Sequence, residues 1–139
     1  MLPLGRLDSM LHLRDRLDAG QMIGVLADRN PGKDGIAPLP FLGSPAAFPT
    51  GPFRLAAMLR RPVLFMYGAY LGGNRYRLSF SPLADFSQVD RKARDAAITA
   101  AQAAYVAQLE AHCRATPYNW FNFFDFWGEL PAQPPDQAR

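Results

Sequence analysis

From Asp8 to Ala19, apolar and charged residues recur at helical spacing. Met10, Leu11, Leu13 and Leu17 fall largely on one stripe, and Arg14, Asp15, Arg16 and Asp18 lie off it. Asp8 suits the N-cap, and Gly20 suits the left-handed position that ends a helix. MIGVLA (22–27) is a continuous apolar run and predicts a strand buried on both faces. Between Asp28 and Pro52 the pattern breaks: six prolines and four glycines predict a long loop with no regular element. Thr50 then caps a second helix, with Pro52 in its first turn, running to Arg61 with Leu55, Met58 and Leu59 as its apolar face. PVLFMYGAYL (62–71) reads as another buried strand, GGN (72–74) as a turn, and the alternating RYRLSF (75–80) as an antiparallel partner. The longest helix spans about Asp90 to Arg114 and is rich in alanine, the strongest helix former. Ala97, Ala101, Ala104, Tyr105, Leu109 and His112 form its expected buried face, and Pro117 stops it. The order is α-β-loop-α-β-β-α, an α/β arrangement.

Seven of the ten residues in YNWFNFFDFW (118–127) are aromatic. They lie almost all round the segment, which favours burial with one edge exposed. The alternative is an interfacial anchor, since Trp and Tyr favour the membrane boundary. The remainder, 128–139, is Pro-rich, short of large apolar groups and expected to be a flexible tail.

Composition narrows the classes. The 139 residues are 49% hydrophobic and 19% charged, an ordinary globular balance that excludes wholesale disorder. A lone Cys113 excludes an internal disulfide framework, and no apolar run approaches a membrane span. The N-terminus has neither the basic nor the apolar region of a signal peptide. The net charge of +3 is carried mostly by arginines scattered along the chain, without the basic stripe or reading motif of a nucleic-acid binder. Arginine suits phosphate and carboxylate groups, so a lipid headgroup, a phosphorylated cofactor or an acidic carrier protein are the partners such charge fits.

Candidate chemistry is sparse. His12 and His112 have no companions at ligand spacing, so no metal site is expected, and no nucleophile elbow or phosphate-binding glycine motif occurs. His112 reads as a boundary histidine of the long helix, and Cys113 as an inert thiol. Asp28 and Arg29 follow a predicted strand, at the edge where open α/β sheets place ligands. There a carboxylate can hold a substrate hydroxyl and a guanidinium a phosphate; a plain loop ion pair is the alternative. Gly43, Gly51 and the amides near Thr50 precede a helix N-terminus, which suits an anion or oxyanion.

GQMIGVLADRN, then PFLGSPAAFPTGPFRLAAMLRRPVLF, then YVAQLEAHCRATPYNWFNFFDFW together resemble the bacterial lipid A biosynthesis (lauroyl/myristoyl-type) acyltransferases of the lysophospholipid acyltransferase superfamily. The likeness runs from about Pro3 to Trp127. It implies a partial mixed-sheet acyltransferase fold, with residues 1–127 the C-terminal part of an acyltransferase domain. It also implies transfer of a fatty acyl group from acyl carrier protein or acyl-CoA to a lipid or glycolipid hydroxyl, without a cofactor. The setting implied is peripheral, on the cytoplasmic face of the bacterial inner membrane. Asp28 matches the acidic position after the strand, with Arg29 its neighbour; Phe41, Gly43 and Gly51 match the segment that shapes the acyl and acceptor site. Arg54, Arg60 and Arg61 suit carrier or headgroup phosphates by their chemistry.

The resemblance also implies a His-x-x-x-x-Asp/Glu base. His12 is followed by acids three and six residues on, and His112 by Thr116 and Pro117, so the motif is missing from this sequence and no catalytic residue is assigned. The expectation is a truncated acyltransferase, inactive alone. A non-catalytic fragment that binds lipid or a partner at the membrane surface is the alternative.

Overall fold

The computed structural model describes residues 7–29, 35–123 and 125–128. Along the chain come α1 (Leu7–Asp18), β1 (Ile36–Phe41), β2 (Ser44–Pro49), α2 (Gly51–Leu59), β3 (Pro62–Tyr70), β4 (Tyr76–Asp85) and α3 (Arg94–Ala115). Single 3-10 turns lie at Arg91–Ala93 and Pro117–Asn119. The class is mixed α/β, as expected, but the strands form two separate antiparallel pairs, β1–β2 and β3–β4.

The first helix ends where its sequence says it should. Gly20 has φ +77°, the Gly20 amide donates to the Leu17 carbonyl, and the Gln21 amide donates to the Arg16 carbonyl. These are the two bonds of a Schellman stop. Asp8 lies inside the first turn instead of preceding it. Leu13 is buried while Leu11 is exposed, and Asp18 forms an ion pair with Arg61 that ties α1 to the start of β3.

Residues 22–27 form no strand, which corrects the reading of their apolar run. Met22 is 83% and Leu26 65% exposed, and only Ala27 reaches an apolar cluster. A strand buried on both faces needs neighbours to satisfy its backbone and cover its side chains. Among the described residues, no strand pairs with this segment.

The proline-rich stretch requires the opposite correction, because it contains the β1–β2 hairpin. Leu42 (φ 52°) and Gly43 (φ 91°) make its two-residue turn, both in the left-handed region that such turns demand. That turn makes Phe41↔Ser44 a hydrogen-bonded pair, and the pairs then alternate up the ladder. Pro38, Pro40, Pro45 and Pro49 all fall on the intervening pairs. Their missing N–H groups therefore face away from the ladder, where a strand tolerates proline.

Pro52 sits in the first turn of α2, as expected. Thr50 does not cap α2 with its side chain; its hydroxyl donates to the Gly35 carbonyl (2.8 Å), closing the base of the hairpin. The inward residues of α2 are Phe53, Ala56 and Ala57, while Met58 points to solvent. The expected apolar face of Leu55, Met58 and Leu59 is thus rotated, because the phenyl ring of Phe53 outweighs them in burial.

β3 alternates: Phe65, Tyr67 and Ala69 are buried and the residues between them exposed, so one of its faces is covered. That covering is α3, whose buried residues are Ile98, Ala101, Gln102, Val106, Leu109 and Cys113. Ala101 and Leu109 were expected there; Ala97, Ala104, Tyr105 and His112 flank that face, half-buried. Two apolar clusters result. One joins Phe41 and Phe48 of the hairpin to Phe65, Val106, Leu109 and Phe126; the other joins Ala27, Phe53, Ala57, Phe86, Ile98 and Ala101. The buried Gln102 amide donates to the carbonyls of Phe48 and Pro49, both at 3.1 Å, and so fixes the hairpin on the helix.

The C-terminal aromatic run divides. Phe126 and Trp120 pack on Phe41, while Tyr118 is 91% and Phe123 90% exposed. Of the expected tail, 128–139, all but Gly128 lies outside the described residues.

Candidate functional site

A groove of about 450 Å³ runs between the hairpin and α3, lined by Leu39, Pro40, Ala103, Val106, Ala107, Glu110, Ala111 and Arg114. Ala103, Ala107 and Ala111 recur every four residues, so they form one stripe along the helix. Their short side chains make the groove's floor, and Leu39 and Pro40 supply the facing wall. The volume is that of an ordinary ligand cleft, and the lining is apolar apart from one charged pair.

That pair is Glu110 and Arg114, one helical turn apart. The Arg114 guanidinium donates to Glu110 Oε1 through Nε (2.9 Å) and Nη2 (2.6 Å). Glu110 Oε2 accepts the backbone N–H of Leu42 (3.1 Å). These bonds hold the Glu110 carboxyl below its usual range, with Arg114 the largest cause and the Leu42 amide the next. The Leu42 amide belongs to a residue in the strained left-handed conformation. A charge-assisted bond across the groove's end therefore anchors the tip of the hairpin to α3.

The candidate residues read from the sequence separate into two groups. Phe41 and Gly43 lie at this end of the groove. The Phe41 ring, however, is fully enclosed by Phe48, Trp120, Phe126 and Trp127, so its contribution is to seat the tip rather than to touch solvent. Gly43 is needed for its φ of +91°, with open space where a Cβ would stand. Gly51 and Arg54 are at the far end of β2, roughly 20 Å along the strand from Gly43 at 3.3 Å per residue. Arg54 is exposed, and Gly51 opens α2 with no neighbour crowding it.

Asp28 and Arg29 belong with that second group, because Ala27 shares its cluster with Phe53 of α2. Asp28 is half-buried, Arg29 exposed. The Asp28 charge is near enough to raise the Tyr105 phenol and the Cys113 thiol, although burial is the larger cause for both. Those two side chains are on the core side of α3, roughly a third of a turn (Cys113) to nearly half a turn (Tyr105) from the alanine stripe. Asp28 is not among the residues that line the groove.

His112 is accounted for by packing. Its ring stacks on Tyr67 (4.1 Å between centroids) and Phe65 (5.5 Å). The Thr116 hydroxyl donates to the His112 carbonyl (3.0 Å), leaving its oxygen to accept the Tyr67 hydroxyl (3.0 Å). Cys113 is buried and its thiol is pushed up to about 11, chiefly by desolvation. Among the described residues, no cluster of three or more His, Cys, Asp or Glu is placed to hold a metal ion, and no helix is long and apolar enough to cross a membrane.

The family model of bacterial lipid A biosynthesis acyltransferases matches residues 2–127. The chain belongs to that family. No curated protein and no solved structure matches it. Family membership makes an acyl donor and a lipid acceptor the general substrates. Sequence reasoning missed most of the groove: Leu39, Pro40 and the alanine stripe were read as loop and as helix former. The four-residue alanine spacing and the Glu110–Arg114 pair were the available signals, and neither reveals which strand faces them.

Proposed function

We propose that this acyltransferase-family chain binds the fatty acyl group of an acyl thioester in the groove between β1 and α3, for transfer to a lipid or glycolipid hydroxyl. The observation that carries the reading is the apolar trough ending at Glu110 and Arg114 beside Gly43, in a member of this family. Methylene groups lie on the alanine stripe, where burial contributes about 0.8 kcal/mol per CH₂. The polar thioester end, on acyl carrier protein or coenzyme A, lies toward Arg114.

Transfer requires the acceptor oxygen to attack the thioester carbonyl, the C–S bond to break, and the acceptor's proton to leave with the thiol. A base must take that proton first. Leu17 and Pro117 occupy the positions five residues after His12 and His112, so the His-x-x-x-x-Asp/Glu arrangement has no counterpart in this sequence. His112 is stacked between rings as well. The chain alone therefore binds donor without turning it over, and turnover needs a base supplied by another polypeptide segment. Gly51 and Arg54, roughly 20 Å from Gly43, are too far from the thioester to hold the attacking hydroxyl; with Asp28 and Arg29 they suit the remote phosphates of a large headgroup in this reading. Peripheral contact with the cytoplasmic face of the inner membrane fits a lipid acceptor.

The specific observation favouring a non-catalytic, lipid-binding role is the exposure of Tyr118, Phe121 and Phe123 beside the core. One assay pair separates the readings. Donor binding is followed with a non-hydrolysable acyl-pantetheine thioether, and transfer with radiolabelled acyl thioester and a lipid acceptor. Binding without transfer, and transfer when a His-x-x-x-x-Asp-bearing segment is added in trans, is the expected outcome. Turnover by the chain alone refutes the missing-base argument; vesicle binding with no affinity for the thioether favours the non-catalytic role.

A further inference from the structure

The β3–β4 ribbon has two faces, and only one is covered. Phe65, Tyr67 and Ala69 point to α3. The other face carries Leu64, Met66, Gly68 and Tyr70 opposite Pro82, Phe80, Leu78 and Tyr76. All eight are exposed, Met66 and Leu78 at 61% each. No charged side chain interrupts the set. A strand apolar on both faces is built to lie between two layers, yet the described residues supply only one.

We propose that this outer face is the interface of a homodimer, in which two β3–β4 ribbons stack face to face. Its exposed apolar side chains amount to on the order of 700 Å², above the few hundred Å² of an ordinary monomer's largest patch and close to the roughly 800 Å² each partner gives a standard interface. The face suits a copy of itself. It bears no charge for two copies to oppose, and Leu78 leans to 3.4 Å of the place a Gly68 Cβ would occupy, which levels the middle of the ribbon. Level apolar sheet faces pack at about 10 Å. Tyr70 and Tyr76 sit together at the turn end (5.3 Å), where their hydroxyls stay at the wet rim.

A bilayer suits this face less well. No third strand flanks β3 or β4 among the described residues, so a ribbon lying in hydrocarbon would carry unpaired edge groups into it. Each such group is costly to leave unpaired there, whereas in a face-to-face dimer the edges remain in water. This inference goes beyond the acyl-transfer reading and stands whether or not the groove takes an acyl chain.

Sedimentation equilibrium of the full chain, from about 1 to 100 µM, tests the dimer. A monomer–dimer equilibrium is expected, and Met66→Glu with Leu78→Arg should weaken it at least 100-fold while far-UV circular dichroism is unchanged. Should that pair fail to fold, Met66→Cys keeps the question open to measurement: a short bismaleimide able to span the sheet spacing should cross-link it as a dimer, while Thr99→Cys on the exposed side of α3 should not cross-link. A wild-type monomer at 100 µM overturns the proposal, as does open-ended association. Dimers insensitive to Met66 and Leu78 do so too. A monomer that co-sediments with phosphatidylglycerol vesicles through Met66 assigns the face to lipid instead.

Discussion

Replacing Phe41 by alanine tests how the hairpin tip is held. The ring is fully buried, and its centroid lies 5.1 Å from Trp120, 5.4 Å from Phe48, 5.6 Å from Phe126 and 6.1 Å from Trp127. Phe→Ala changes in protein cores cost about 3–5 kcal/mol. Oriented aromatic pairs each add about 0.5–1.5 kcal/mol, partly overlapping that figure, so a loss of about 4 kcal/mol is expected. A domain stable by only about 5–15 kcal/mol is left marginal by such a change. With a urea slope of about 2 kcal/mol per molar, the unfolding midpoint falls by about 2 M. Fluorescence suits the measurement, since the chain's two tryptophans, Trp120 and Trp127, are both ring neighbours of Phe41. Phe41→Leu should lose much less. A Phe41→Ala protein within about 1 kcal/mol of the parent would mean that the tip is not seated on the aromatic run. Weaker acyl binding at unchanged stability would then make the ring a substrate contact.

Three further expectations follow from local chemistry. Gln102→Leu removes the amide that satisfies the Phe48 and Pro49 carbonyls and should cost about 1–3 kcal/mol by the same urea titration; a neutral result would deny the hairpin–helix tie. Arg60 holds a left-handed conformation (φ 53°, ψ 52°) at the end of α2, where the Arg61 amide donates to the Ala56 carbonyl. Arg60→Gly should therefore stabilise the protein by about 0.5–1 kcal/mol and raise its melting temperature by a few degrees, and a fall would contradict that cap geometry. The Cys113 thiol, raised to about 11, should resist a thiol reagent at about pH 8 in the native protein and react on unfolding. Because its folded value lies above its unfolded one, its contribution to stability is complete below about pH 8.5 and is lost as pH rises through 11. Rapid native labelling at pH 8 would contradict the burial.

Features decided by nearby residues were the legible ones. Gly20 ends α1, Pro52 starts α2, the glycines at 72–73 turn β3 into β4, and the alanines carry α3. Features decided by distant neighbours were not. MIGVLA is a strand in composition, but among the described residues no strand lies beside it to complete its hydrogen bonds. The Pro/Gly count hid β1 and β2, because what admits four prolines to a ribbon is their parity relative to Gly43, not their number. Among its described residues YNWFNFFDFW divided because Phe126 and Trp120 pack on Phe41, while Tyr118, Phe121 and Phe123 find no such cover. The groove was hardest of all: Leu39 and Glu110 are far apart in the chain, and nothing local to either marks the other. Glu110 entered only within the YVAQLEAHCRATPYNWFNFFDFW segment of the family resemblance.

Photolabelling tests the acyl-groove assignment most directly. A fatty acyl-pantetheine thioether carrying a diazirine near its methyl end would be irradiated with the full chain and the labelled peptides mapped. Label confined to Leu39 and Pro40 on one side and to Ala103, Ala107 and Ala111 on the other is expected, with competition by unlabelled thioether. Label absent from those peptides, or found instead on Met66 and Phe80 of the outer β3–β4 face, would contradict the groove as the acyl site.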